Sequence, residues 1–245
     1  MRIDVVASVS EVRSEDLVHR SAVVIDVFRT SSTIVTALAH GAACVIPVET
    51  VPQAKQLQYE DMILGGERFC KKITGFDAGN SPLEYTKELI HGKNVILTTT
   101  SGTRALIKAS KALTVFSASF LNARACAETL VQLDRDVVLL CAGSQDRFAL
   151  EDGLCAGMLI DDLKQMTQQQ VRSNDLGITV HQAYLHNKDQ LKKIVYEGNE
   201  AKRLIKQGHA LDVDYCLEMN SSSIVPVLES NQVIRPWTTK KDLHN

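Results

Sequence analysis

The sequence predicts an α/β protein, layered α/β/α around a largely parallel or mixed sheet with room for two lobes. Short runs rich in Val and Ile recur along the first two thirds of the chain, amphipathic stretches separate them, and hydroxyl-rich or glycine-rich loops follow several of the runs. Apolar runs of strand length alternating with helical patterns are the signature of βα units.

The elements follow in order. Val5-Val6 opens the series, and residues 22–28, 43–48, 95–97, 113–116 and 137–141 continue it as strands. Residues 32–40 read as a helix that Gly41 ends as a C-terminal glycine, and 103–111 read as a second helix. Laying 23–54 on 94–125, an offset of 71, matches strand, hydroxyl-rich loop, helix and strand without a gap, in pattern rather than identity. Internal duplication and ordinary βαβ geometry used twice both account for it, and ordinary geometry is preferred because α/β folds resemble themselves. Residues 1–163 are expected to form the α/β core that carries the anion-binding loops. The rhythm fades over 164–177, the candidate seam, and 178–245 is expected to pack on that core or complete it. Within it, 183–207 reads as one surface helix closed by Gly208, with no visible chemistry.

With 245 residues, 44% of them hydrophobic, the chain can bury about 70–75% of its unfolded surface without disulfides or a structural metal. The six cysteines include no CxxC pair and lie mostly in apolar stretches, which reads as buried thiols in a reducing, cytoplasmic setting. No run of about 18 apolar residues is present, so neither export nor a membrane span is expected. A net charge of −2 and 5% aromatics argue against a nucleic-acid partner. The seven histidines show neither HxH nor HExxH spacing, which disfavours zinc and leaves room for a hard cation held by oxygen.

Four segments could carry chemistry. In Val23 to Thr33 a buried strand ends at Asp26 and feeds Arg29, Thr30, Ser31 and Ser32 into a helix start, where free backbone N–H groups favour an anion. Arg29 adds a forked donor for phosphate or sulfonate, whereas Asp26 would repel that anion unless a cation lies between them or Asp26 attacks it. Leu97 to Arg104 repeats the plan with Thr99, Thr100, Ser101, Gly102, Thr103 and Arg104, so a ligand with two anionic ends is expected. Neither loop is a P-loop or a dinucleotide fingerprint. The third segment is the glycine-rich loop Gly65-Gly66-Glu67-Arg68 with Gly75 to Pro82, which includes Asn80 and Ser81. The fourth runs from Cys141-Ala142-Gly143 to Leu150-Glu151-Asp152, whose two acids either ligate a cation or complement a helix dipole. Cys141 and Cys155 read as buried rather than nucleophilic, and Asp212 and Asp214 as surface or capping acids.

Taken in register over residues 20–160, these four segments resemble the 2-phosphosulfolactate phosphatase family. The chain departs from the family loop Thr-Thr-Asn-Gly-Thr at Thr100-Ser101. The resemblance implies a Mg²⁺-dependent phosphatase that converts 2-phospho-3-sulfolactate to 3-sulfolactate and phosphate. On that reading Asp26, Glu67 and Asp152 hold Mg²⁺, Arg29 with Thr30, Ser31 and Ser32 grips the phosphoryl group, and water or Asp26 itself attacks. Thr99, Thr100, Gly102, Thr103 and Arg104 face the sulfonate, Asn80 and Ser81 form a closing wall, and Arg68 and Ser101 also line the substrate. The partner is then a small doubly anionic substrate, with a homo-oligomer open. The rivals are a lyase or transferase on the same substrate class and a non-catalytic anion sensor. Four acids, Asp26, Glu67, Asp77 and Asp152, count against the sensor, which gains nothing from them.

Overall fold

The computed structural model describes residues 1–167, 170–229 and 232–238. Its strands are β1 (Arg2–Val6), β2 (Ser21–Ile25), β3 (Cys44–Pro47), β4 (Ile63–Arg68), β5 (Lys71–Lys72), β6 (Asn94–Thr98), β7 (Thr114–Ala118), β8 (Val137–Cys141), β9 (Arg172–Ser173), β10 (Pro226–Leu228) and β11 (Ile234–Pro236). Its α-helices are α1 (Ser14–Leu17), α2 (Thr30–Ala39), α3 (Val51–Gln56), α4 (Lys87–Ile90), α5 (Gly102–Ala109), α6 (Ala123–Leu133), α7 (Leu150–Met166), α8 (Asp175–Asn187), α9 (Leu191–Tyr196), α10 (Asn199–Lys206) and α11 (Ala210–Cys216).

One mixed sheet runs in the order β5-β4-β6-β3-β11-β10-β7-β2-β8-β1-β9. β2 and β8 are buried along their whole length, as strands covered on both faces must be. Alternate residues enter opposite layers. Val23, Ile25, Leu139 and Phe116 pack with α6, α7 and α8, while Val24, Leu140 and Val115 pack with α2 and α5. Burial of each such side chain contributes about 1.5–3 kcal/mol relative to exposure. The α/β/α layering expected from the sequence is the architecture found.

The strand order bears on the repeat. Parallel pairs join β7, β2, β8, β1 and β9 on one side and β4, β6 and β3 on the other. The C-terminal hairpin β10–β11 sits between them, antiparallel to β7 and to β3, so the two half-sheets run in opposite senses. Residues 21–68 supply β2-α2-β3-α3-β4 and residues 94–141 supply β6-α5-β7-α6-β8. Exchanging these units strand for strand maps β4-β6-β3-β11-β10-β7-β2-β8 onto itself reversed. Each unit's first strand pairs with the other unit's second strand, β2 with β7 and β6 with β3. Ordinary βαβ geometry used twice does not require such reciprocity. The reciprocity favours internal duplication over the ordinary geometry preferred from the sequence.

Local signals held where sequence neighbours decide the outcome. Gly41 has φ +90 and ends α2, its N–H bonding Leu38 while the Ala42 N–H reaches Ala37. Three readings change. The glycine pair Gly65-Gly66 lies in strand β4 rather than a loop, because neighbours come too close for side chains: a Cβ would stand 2.0 Å from the Tyr85 hydroxyl at Gly65 and 2.2 Å from the Thr98 carbonyl at Gly66. The single helix expected over 183–207 is broken into the end of α8, then α9 and α10, with Gly198 at the N-cap of α10 and Gly208 beyond its end at φ +87. The segment 164–177 carries the end of α7, the strand β9 paired with β1, and the start of α8, except residues 168 and 169, which lie outside the described residues. All six cysteines are free and buried. Among the described residues no helix is long and apolar enough to cross a membrane.

The central hairpin generates a test. Deleting residues 224–245 exposes the inner edges of both half-sheets, and the truncated chain is expected to lose cooperative thermal unfolding and near-UV circular dichroism. A sharp melt near that of the full chain would show that the two half-sheets hold together without the hairpin.

Candidate active site

Loops that follow β2, β6 and β8 converge with the C-terminal end of β4. After β2, the Thr30 amide donates to Asp26 Oδ1 at 3.1 Å and the Ser31 amide to the Asp26 carbonyl at 2.9 Å. The Ser31 hydroxyl donates to the Val24 carbonyl and that of Ser32 to the Val27 carbonyl. These two hydroxyls therefore shape the loop rather than line the cleft. Thr30 Oγ1 donates to Thr99 Oγ1 at 3.1 Å, joining the hydroxyl-rich loops of the two repeats. Gly102 begins α5 directly against this junction: a Cβ there would lie 2.4 Å from Asp26 Oδ2 and 2.4 Å from Thr30 Oγ1. Only glycine lets the second loop approach so closely.

Glu67 and Asp152 hold the loops together. Glu67 Oε1 accepts from the amide and the hydroxyl of Thr100, at 2.9 and 2.8 Å, and Oε2 accepts from the Cys70 amide at 2.7 Å. Asp152 Oδ1 takes the Val27 amide at 2.9 Å and Oδ2 the Gly143 amide at 3.0 Å. Carboxylates that clamp backbone N–H groups fix loops strongly, since charge-assisted bonds are about twice as strong as neutral ones.

Arg29 is buried and donates to Asp212 Oδ2 at 2.6 Å, while Ser81 Oγ donates to Asp212 Oδ1 at 2.6 Å. Asp212 is thus no surface acid; it is 3% exposed on α11 and holds the arginine in place. Asp214 is half-buried and pairs with Lys192. Arg68 turns away, donating to the carbonyls of Glu67 and Glu49 and to Thr98 Oγ1. Arg104 lies at the surface, paired with Asp146 at 2.9 Å. Thr103 is buried and bonded to Thr99, and Asp77 accepts the Leu64 amide. Cys141 and Cys155 are fully buried, and burial pushes both thiols far up, so the buried reading of them stands.

The cleft encloses about 90 Å³ and is lined by Asp26, Arg29, Thr30, Glu67, Asn80, Thr100, Ser101 and Asp152 from the expected set. That is far below the roughly 300–1,000 Å³ of pockets for drug-sized ligands, so the ligand is small. Gly143, Ser144 and Glu151 of the fourth segment also line it, and the structure adds Glu200 and Arg203. Glu200 and Arg203 come from the stretch that showed no chemistry. Their i,i+3 spacing among lysines and glutamates is that of any solvated helix, and no local signal distinguishes them.

Burial raises the affinity of Asp26, Glu151 and Asp152 for protons, and the neighbouring negative charges add to it: Glu67 and Glu200 for Asp26, Glu200 and Asp26 for Glu151, Glu151 and Asp26 for Asp152. Buried like charges of this kind call for a cation or for protons. Among the described residues no three His, Cys, Asp or Glu side chains form a metal-binding group. Glu67 and Asp152 hold backbone amides with both carboxylate oxygens, whereas Asp26 does so with Oδ1 alone. Asp26 Oδ2 and the Glu151 carboxylate remain for a hard cation. Mg²⁺ suits such a place, because it is commonly bound by one or two carboxylates together with substrate phosphate and water.

A protein-family model described as 2-phosphosulpholactate phosphatase matches residues 6–231. A Thermotoga maritima protein named probable 2-phosphosulfolactate phosphatase is 42% identical over 215 residues, covering 85% of this chain and 89% of its own. Proteins of the same name from Clostridium novyi and Clostridium acetobutylicum are each 37% identical, over 92% and 96% of this chain and 96% and 100% of theirs.

Two outcomes follow from the geometry. Gly102→Ala pushes a methyl group into Asp26 and Thr30, and misplacing such a group by about 1 Å can lower kcat about 10²-fold. Circular dichroism should remain that of a folded protein, and unchanged turnover would refute the contact. Glu151→Gln removes one charge from the crowded acids. Burial lifts Glu151 to about 8, so in metal-free buffer above that pH the melting temperature should rise by about 2–4 °C for each kcal/mol of repulsion relieved, and a fall there would show that the Glu151 charge stabilises the fold.

Proposed function

The chain belongs to the 2-phosphosulfolactate phosphatase family, and on that premise we propose that it is a Mg²⁺-dependent phosphoric monoester hydrolase that converts 2-phospho-3-sulfolactate to 3-sulfolactate and phosphate. The observation that carries the reading is the pairing, in one small cleft, of crowded buried carboxylates that a cation or protons can satisfy with a buried arginine that suits a phosphoryl group. A cation-dependent anion site is what phosphoryl transfer needs, since its catalysis is mostly positioning and charge stabilisation.

Asp26 and Glu151 would hold Mg²⁺, which supplies charge neutralisation for the phosphoryl oxygens. Arg29 is preorganised by Asp212 and binds the phosphoryl oxygens with the N–H groups that Asp212 leaves free. The α2 N-terminus lies beside it and favours the same negative charge. Glu67 and Asp152 keep the Thr100 and Gly143 backbones where the cleft requires them. Thr30 and Thr99, bonded to each other, hold the two loops in register. In the reaction the oxygen of water joins phosphorus, the bond from phosphorus to the C2 oxygen breaks, and a proton from the water ends on the leaving alkoxide.

The test is phosphate release from 2-phospho-3-sulfolactate with and without Mg²⁺, for the wild type, Asp26→Asn and Arg29→Lys. Release should require the metal and fall about 10²–10³-fold in each variant. Folded wild type that binds the substrate without releasing phosphate would instead make the chain an anion receptor. Oxygen-18 from labelled water should enter the phosphate directly in a single turnover; label in the Asp26 carboxylate would replace direct attack by an aspartyl-phosphate.

A further inference from the structure

Two guanidinium groups line the cleft, Arg29 and Arg203, and the structure holds them differently. Arg29 is committed to Asp212 and sits beside the loop after β2. Arg203 stands on α10, where one N–H group pairs with Glu200 Oε2 at 2.5 Å, while Glu200 Oε1 accepts from Ser144 Oγ at 2.7 Å. This chain of contacts fixes Arg203 to the loop after β8. Its Nε is nonetheless buried and has no hydrogen-bond partner among the described residues. A second buried polar atom without a partner, Asn80 Oδ1, belongs to a cleft-lining side chain that is 4% exposed. Buried polar groups in proteins are ordinarily paired, so an orphaned cationic donor at a ligand cleft points to an acceptor that arrives with the ligand.

Arg104 offers no comparable receptor. It lies outside the cleft lining, its side chain is 45% exposed, and its partner Asp146 is 54% exposed.

We propose that Arg203 receives the sulfonate on C3, one of the two anionic groups that the substrate carries besides its phosphoryl group, the other being the C1 carboxylate, while Arg29 takes the phosphoryl group; this rests on the phosphatase reading above. A sulfonate spreads one charge over three oxygens, and the forked donors of a guanidinium match such a group better than a single ammonium does. Arg203 is also the cation that makes this end of the cleft tolerable to an anion. Without it the carboxylates of Glu151 and Glu200 in the same lining would repel the sulfonate. Glu200 keeps one N–H group of Arg203 and leaves the orphaned Nε for the ligand, so the receptor is set in place before substrate arrives.

The experiment compares kcat and KM for 2-phospho-3-sulfolactate and for 2-phospholactate, which carries a methyl group in place of the sulfomethyl group. The proteins are the wild type, Arg203→Ala, Arg203→Lys and Arg104→Ala. The wild-type preference for the sulfonated substrate should fall about 10- to 100-fold in Arg203→Ala, chiefly through KM. Arg203→Lys should regain part of it, and Arg104→Ala should keep it. An equal loss on both substrates in Arg203→Ala would assign Arg203 to the C1 carboxylate that both share or to a counter-charge for the acids, and a collapse of preference in Arg104→Ala would move the receptor to the rim; any of these overturns the proposal. Absence of phosphate release in the wild type would sink the phosphatase reading instead. The proposal is then tested by calorimetry with 3-sulfolactate and lactate. Loss of Arg203 should weaken 3-sulfolactate about 10-fold or more, and unchanged affinity would overturn it.

Discussion

The molecule depends on a hairpin of two short strands at the middle of its sheet. Without β10 and β11, β3 and β7 would each be an edge, with a row of unpaired backbone N–H and C=O groups in the interior. The hairpin pairs with both, β10 on Val115 and Phe116, β11 on Val45. It thereby joins two parallel half-sheets that run in opposite senses. Everything at the cleft inherits that junction, because Asp26 and Asp152 come from one half-sheet and Glu67 and Thr100 from the other. The bond between Thr30 and Thr99 crosses the same divide.

The two matching units account for the shape of the cleft. Each repeat brings a strand, a hydroxyl-rich loop and a helix start to the centre, so two helix N-termini, those of α2 and α5, meet across Gly102. The repeats then diverge in chemistry. The first carries Asp26 and Arg29, while the second carries threonines and the glycine that makes room for them. A symmetric frame with unlike contents suits a ligand whose two ends are both anionic and chemically different.

Charge is unevenly distributed in this cleft. Acids outnumber guanidinium groups, and several acids are spent on backbone amides rather than exposed to a ligand. Glu67 and Asp152 show how one residue type serves two purposes. At these positions carboxylates fix loops whose amides would otherwise be buried without acceptors. At Asp26 and Glu151 they crowd one another, and burial together with that crowding raises their affinity for protons.

The sequence by itself determined what depends on near neighbours. The buried strands, the starts of α2 and α5, the Gly41 cap and the hydroxyl-rich loops follow from apolar periodicity and local backbone preference, which act over a few residues. Asp26, Arg29, Thr30, Glu67, Asn80, Thr100, Ser101 and Asp152 could be picked out because each sits beside a strand end or glycine turn that marks a loop. Tertiary structure alone decided the rest. Asp212 lies 183 positions from Arg29, and nothing near it in the chain says that it will be buried as an ion partner. Glu200 and Arg203 read as solvated residues until α10 is laid against the loop after β8. Gly65 and Gly66 read as a loop until Tyr85 and Thr98 press against their backbone. The physical reason is common to all of these. A charge or a glycine takes its meaning from what is packed against it, and that is set by the pairing of strands far apart in the chain.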